Sequence, residues 1–230
     1  MKAVILAAGI SGRLGYNFPK CLLEIGGKAL LGRYLESLEK VDILDVTMVV
    51  GYKKEMIVDY VERSDFPGSI KVISNPAFTA GSILSLYEAR KELNGEVLLM
   101  DSDVYFEGKL LRTFIREGGE NAVALDISSC GAGEEMMVEV EDGRVLDWGR
   151  NLTSGVGEAV GFYKFNDQTC WVLKKLLEEY VDQEGLGYED IFPELFKKVF
   201  FVPVDVSGLR WVEIDFEEDV KRAEALDRNE

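Results

Sequence analysis

The chain has 230 residues, 47% of them hydrophobic, and a formal net charge of -16 from 42 acidic and 26 basic side chains. That length and apolar share support one α/β domain with its own core, and the charge argues against gripping a nucleic-acid backbone. There is no histidine. Imidazole bases, imidazole zinc sites and histidine triads are therefore excluded, leaving carboxylates, Lys, Arg, hydroxyls, backbone amides or a metal.

Residues 2–8 read as a buried strand, and Leu30, Leu31, Tyr34, Leu35 and Leu38 line one face of a helix over 28–40. A strand over 46–50, a helix over 54–61, a strand over 70–74 and a helix over 82–93 follow. The next strand, 96–100, runs into Asp101-Ser102-Asp103. This alternation predicts right-handed βαβ units, a parallel sheet and a ligand crevice at the strand C-termini. The second half is less regular, with strands over 121–126, 136–141, 145–148 and 159–165. A helix over 167–180, an extended stretch over 200–206 and a closing helix over 217–226 complete a single domain, residues 1–226. No run reaches the roughly 20 apolar residues that cross a bilayer. Cys21, Cys130 and Cys170 form no close pair and the start lacks a secretory leader, so a cytoplasmic location is expected.

Two stretches carry candidate chemistry. In VILAAGISGRLG, residues 4–15, a strand breaks into Ala7-Ala8-Gly9 and Gly12, where exposed amides can form an anion nest. Arg13 can clamp phosphate oxygens and Lys20 can add a point charge, although a glycine turn with two solvated bases reads equally simply. Neither the dinucleotide fingerprint nor the Walker motif fits the stretch. In MDSDVYF, Asp101 and Asp103 at i and i+2 offer oxygens to a hard cation, and EIDFEEDV, residues 213–220, supplies a second acidic cluster. A polar strand end and a helix dipole partner are the plain alternatives.

AAGISGR followed by Pro19-Lys20 resembles the signature of the glycosyltransferase-A-like nucleotidyltransferases, with Gly9, Ser11, Arg13, Pro19 and Lys20 matching. The resemblance implies a Rossmann-like α/β fold whose mixed, mainly parallel sheet is flanked by helices. It implies that Arg13 and Lys20 meet the triphosphate, that Ala8, Gly9, Ser11 and Gly12 lie beside the nucleotide, and that Asp103 and Asp215 hold Mg²⁺. Asp101 is an extra carboxylate, beside the ribose or an outer-shell water.

NPAFTAGSILSLYEAR, residues 75–90, and GEAVGFYKFN, residues 157–166, resemble the bacterial-type CTP:phosphocholine cytidylyltransferases and related polyol-phosphate enzymes. Ser-Leu-Tyr matches, whereas Gly81-Ser82 replaces an Asn pair. By this resemblance Asn75, Gly81, Ser82 and Ser85 contact the nucleotide, while Glu158, Trp148, Tyr188 and Glu189 face the acceptor. The implied reaction moves CMP from CTP, or another nucleoside triphosphate, to a small phosphorylated alcohol, with phosphocholine the first choice. No nucleic-acid partner and no membrane insertion are expected, and a homodimer is allowed. A sugar-1-phosphate or inositol-phosphate nucleotidyltransferase shares the signature, and a regulatory nucleotide-binding module would keep the binding without turnover. Asp103→Ala and Asp215→Ala are each expected to abolish Mg²⁺-dependent pyrophosphate release while leaving the circular dichroism spectrum intact; normal turnover in both variants would remove the metal site.

Overall fold

Strand β1 (Lys2–Ala7) is buried on both faces. Ala3, Ile5 and Ala7 meet one layer of side chains, whereas Val4 and Leu6 meet the other, so the strand reads as a continuous apolar run rather than an alternation. The computed structural model describes residues 1–10, 12–129, 135–150, 152 and 155–228. A short hairpin, β2 (Glu24–Ile25) and β3 (Lys28–Ala29), leads into α1 (Leu30–Glu39), β4 (Asp45–Val50), α2 (Lys54–Glu62) and β5 (Ser69–Ser74). Next come α3 (Ser82–Glu88), β6 (Val97–Asp101), β7 (Val104–Phe106) and α4 (Gly108–Glu117). The remaining elements are β8 (Ala122–Asp126), β9 (Met137–Glu141), β10 (Arg144–Gly149), β11 (Gly157–Phe165), α5 (Asp167–Tyr180), α6 (Phe192–Lys198), β12 (Val202–Asp205), β13 (Trp211–Glu213) and α7 (Glu217–Asp227).

Among the described residues nine strands form one mixed sheet. β6, β1, β4 and β5 pair in parallel, and β11 joins β6, β8 and β9 in antiparallel fashion. This is the expected α/β architecture. The expected helix over 28–40 begins at Leu30, because Lys28 and Ala29 close the β2–β3 hairpin. α4, α6 and the β7–β13 ribbon lie outside the sequence-level reading. No described helix is long and apolar enough to cross a membrane. Cys21 and Cys170 are buried free thiols, while Cys130 lies outside the described residues.

One core layer joins α1, α2 and α4 to the sheet through Tyr34, Leu38, Ile57 and Phe114. The other uses α3, α5 and α6 through Leu86, Leu173, Phe192 and Phe196. A third, smaller cluster of Leu14, Leu23, Ile25, Leu30, Tyr105, Val212, Ile214, Val220 and Ala223 sits beneath the loop that follows β1.

At the C-terminal end of β6, the backbone of β11 approaches closely. The β11–β8 register shifts between Ala159 and Tyr163, and Gly161 there has φ +81°; a Cβ on it would lie 2.7 Å from Asp101 Oδ2. Gly9 in the loop has no such neighbour within 4 Å. Gly161→Ala is therefore expected to destabilise the fold by about 2 kcal/mol in urea titration, while Gly9→Ala stays within about 0.5 kcal/mol of the parent. Equal midpoints for the two variants would refute the close-approach role of Gly161.

Candidate active site

The β7–β13 ribbon assembles the acidic centre. Val212 pairs with Tyr105 and Glu213 with Val104, and Ile214 N donates to Asp103 O at 2.9 Å. This register brings Asp103, at one end of the ribbon, beside Glu213 and Asp215. Each of the three carboxylates offers an oxygen, and these oxygens all lie within 4.8 Å of one another. Such a hard, all-oxygen donor set suits a divalent cation of the Mg²⁺ type.

Two cations face this triad. Lys20, on the turn Lys20–Leu22, donates from Nζ to Asp103 Oδ2 at 3.2 Å and also to Asp215 Oδ1. Its side chain is only 14% exposed. Burial opposes its charge, but the charges of Asp103 and Asp215 win and its pKa rises above the ordinary lysine value. Arg13 pairs with Asp215 Oδ2 at 3.0 Å and stacks over Phe216, 5.4 Å from the ring centre. The tip of the same loop is tied on both sides. Tyr16 Oη donates to Glu217 at 2.6 Å, and Lys53 Nζ donates to Asn17 O at 2.6 Å.

Behind Lys20 lies a cavity of about 180 Å³ lined by Ala8, Gly9, Ser82, Ser85, Asp101, Asp103 and Tyr188, among others. Ala8, Gly9, Ser82, Ser85 and Asp101 thus converge as the sequence suggested, and Gly12 lies in the loop beside them, its carbonyl accepting from Gly15 N at 3.3 Å. Ser11 lies outside the described residues. Asn75 corrects the expectation: it is 1% exposed, gives its amide to Ser85 Oγ at 3.0 Å, and accepts from Ala77 N at 2.9 Å. It braces the loop instead of facing the cavity. Gly81 also packs inside, since a Cβ there would lie 2.4 Å from Leu186 O.

On the other side of the triad opens a cleft of about 870 Å³ whose walls include Arg13, Asp101, Glu158, Glu189, Glu213 and Asp215. Glu158 and Glu189, both expected to face the acceptor, line this cleft together. Trp148 does not: it is 5% exposed, stacks on Phe192 at 4.7 Å, and donates Nε1 to Glu189 O at 2.9 Å. Tyr188 is likewise a core residue, 3% exposed, and its hydroxyl donates to both Asp101 oxygens, at 2.8 and 2.7 Å, on the nucleotide-side cavity. Aromatic packing around Phe192 claims both rings. Glu213, Arg150 and Arg222 also line the cleft and were absent from the sequence-level set. Glu213 was legible in principle, because it stands two residues before Asp215, on the same face of an extended segment.

The cleft floor is electrostatically tense. Glu213 is exposed at the cleft surface, yet the protein packed around its carboxyl and then the charges of Asp103 and Asp215 push it up to about 8. Burial raises Glu189 to about 7, with Arg150 opposing the shift. Asp101 stands well above the ordinary carboxylate value through burial and the charges of Glu189 and Asp103, against the hydrogen bond from Tyr188. On the cleft wall, burial also raises Glu158, while its bond from Ser129 Oγ opposes the shift.

Residues 3–143 match the family model of the MobA-like NTP transferase domain. The chain is 29% identical over 227 residues to a bifunctional IPC transferase and DIPP synthase of Aquifex aeolicus, covering 96% of this chain and 50% of that one. The chain spans about half the length of the bifunctional relatives it matches. Along its whole length it is 25% identical over 243 aligned positions to the full choline-phosphate cytidylyltransferase of Streptococcus pneumoniae. The solved inositol-1-phosphate CTP transferase from T. maritima superposes with a TM-score of 0.83 at 18% identity, covering 99% of this chain and 95% of that one.

The raised carboxyl of Glu189 predicts a pH-dependent stability. Its ordinary pKa of 4.5 becomes about 7 in the fold. The folded state therefore keeps a proton that the unfolded chain releases, and stability falls as pH rises from 4.5 towards 7. Glu189→Gln is expected to match the parent in melting temperature near pH 4.5 and to exceed it at pH 8, by the equivalent of up to about 3 kcal/mol. A pH-independent difference between the two proteins would remove the buried-carboxyl argument.

Proposed function

We propose that this chain, which belongs to the MobA-like NTP transferase family, moves CMP from CTP to a small phosphorylated alcohol and releases pyrophosphate. The observation that carries this reading is the juxtaposition of Arg13 and Lys20 with Asp103, Glu213 and Asp215, between a small cavity and a larger cleft. The cavity takes the nucleoside, the cations take the phosphates, and the cleft takes the acceptor. Asp103, Glu213 and Asp215 would hold Mg²⁺, which supplies neutralisation of the charge that develops on the phosphates.

An acceptor phosphate oxygen attacks the α-phosphorus; a new P–O bond forms as the bond to the bridging oxygen of pyrophosphate breaks. The nucleophile arrives as an anion, so no general base is needed and the absence of histidine is no obstacle. Lys20 is fixed by its buried turn and Arg13 by Phe216, so both hold positive charge where the leaving pyrophosphate gathers negative charge.

For the acceptor we favour a phosphorylated polyol of the inositol-phosphate kind. Trp148 and Tyr188 lie in the core, and the two rings that do line the cleft are already engaged: Phe216 carries Arg13, and Trp211 donates Nε1 to Asp126 Oδ2 at 2.8 Å. The cleft offers instead the carboxylates of Glu158 and Glu189, which accept hydrogen bonds from hydroxyls, and the guanidinium groups of Arg150 and Arg222 for a phosphate. The similarity to the bifunctional IPC transferases supports the same choice. Phosphocholine is the second reading, supported by the full-length similarity to choline-phosphate cytidylyltransferase and by the acidic walls, which suit a cation.

Pyrophosphate release with Mg²⁺, each common nucleoside triphosphate, and a panel of inositol phosphate, phosphocholine and sugar 1-phosphates tests this. The expected pair is CTP with inositol phosphate. CTP with phosphocholine alone selects the second reading, and UTP, dTTP or GTP with a sugar phosphate overturns the cytidylyl assignment. Nucleotide binding without release from any pair leaves a regulatory module.

A further inference from the structure

Both cations assigned to the triphosphate are engaged by carboxylates assigned to the metal. Lys20 Nζ lies between Asp103 Oδ2, at 3.2 Å, and Asp215 Oδ1; Arg13 Nη2 sits 3.0 Å from Asp215 Oδ2. The lysine side chain is 14% exposed and belongs to a short turn whose Cys21 is buried. Its ammonium is thus held on the triad, where a divalent ion would seek the same oxygens.

The two ligands therefore face opposite problems. A metal arriving alone meets an ammonium at carboxylate oxygens it needs, and like charges at this separation repel strongly in a part-buried site. A triphosphate arriving alone draws Lys20 and Arg13 away and leaves clustered carboxylates without counter-charge. Arriving together, the metal takes the carboxylates and the phosphates take the cations, so each charge finds a new partner.

We propose that Lys20 and Arg13 are the resident counter-ions of the Asp103–Glu213–Asp215 triad, and that they make metal binding conditional on the triphosphate. This rests on the reading of that triad as the metal carboxylates. The consequence is an unusual sign: removing a residue of the binding machinery tightens binding of the bare metal. It also gives the site a coupling between its two ligands, since each is favoured by the rearrangement the other causes.

The test is titration of the 230-residue chain, purified without nucleotide, with Mn²⁺ alone, followed by electron paramagnetic resonance of the free ion. Lys20→Met is expected to bind Mn²⁺ at least about tenfold more tightly than the parent. Arg13→Met should shift affinity in the same direction by less, because its side chain is 54% exposed. Lys175→Met, which removes an exposed cation paired with Glu178, should leave affinity unchanged. Adding Asp103→Asn to Lys20→Met should erase the gain. Equal or weaker Mn²⁺ binding by Lys20→Met overturns the counter-ion proposal while leaving the triad reading intact. A gain that survives Asp103→Asn places the ion elsewhere, so the triad reading falls and the proposal with it. If circular dichroism shows that Lys20→Met does not fold, the half-exposed Arg13→Met decides, and an affinity no tighter than the parent's overturns the proposal.

Discussion

Everything at the site depends on the short pairing of β7 with β13. Three paired positions, Trp211–Phe106, Val212–Tyr105 and Glu213–Val104, join segments that are distant in the chain. Because side chains alternate along an extended strand, Val212 and Ile214 enter the third core while Glu213 and Asp215 turn towards the cleft. The same core contains Leu14 and Leu23, neighbours of Arg13 and Lys20, and Tyr105, a neighbour of Asp103. One apolar cluster thus sets the spacing between the cations and the carboxylates. Helix α7 closes it from outside. Its first turn is capped by Asp219, which accepts from Asp215 N at 3.1 Å and Phe216 N at 2.8 Å, and Asp227 at its end receives Arg33.

The electrostatic tension of the cleft is the counterpart of that mechanical order. Asp101, Glu189 and Glu213 are acids in surroundings that disfavour their charge. For Asp101 and Glu189, a fold selected for stability alone would use apolar groups, which often serve such positions at least as well. Their setting separates two kinds of carboxylate. Asp126 is buried too, yet bonds from Ser128, Trp211 and Ser207 hold its pKa below the ordinary value, so it belongs to the scaffold. Among the described residues Glu189 accepts a long side-chain hydrogen bond from Tyr163, at 3.4 Å, and Glu213 borders carboxylates. Such underserved acids are suited to meeting a ligand.

The sequence was most informative where local pattern and chemistry coincide. The continuous apolar run of β1 followed by glycines announced a buried strand and a close turn, and Arg13, Lys20, Asp103 and Asp215 do converge. Legibility failed where burial is decided by distant packing. Trp148 stands near acids in the sequence and so resembles a cation-binding ring, but Phe192, Tyr163 and Phe196 enclose it from other elements. Asn75 looked like a base-recognition residue because a polar side chain near a helix start is ambiguous until its hydrogen bonds are known. Glu213 was overlooked because β13 is three residues long, too short for a period of two to stand out. α4, by contrast, was legible in principle, since Leu110, Leu111, Phe114 and Ile115 recur at helical spacing among charged neighbours.

The overall charge of -16 makes the local arrangement of cations decisive. The phosphorylated substrates proposed for this site would approach a surface that repels them, but at physiological ionic strength this repulsion fades over about 8 Å. Attraction must therefore be generated inside the site, by a few fixed positive groups. Those groups would be a liability before the substrates arrive, because cations held in a partly buried place need counter-charge. The triad meets that need: the carboxylates suited to a metal also pair with Lys20 and Arg13. An acidic protein can thereby carry a phosphate-binding centre without displaying a basic patch, and its selectivity for anions is exercised only at close range. The glycines and bases of the opening loop answer to this constraint as much as to the phosphates they are proposed to hold.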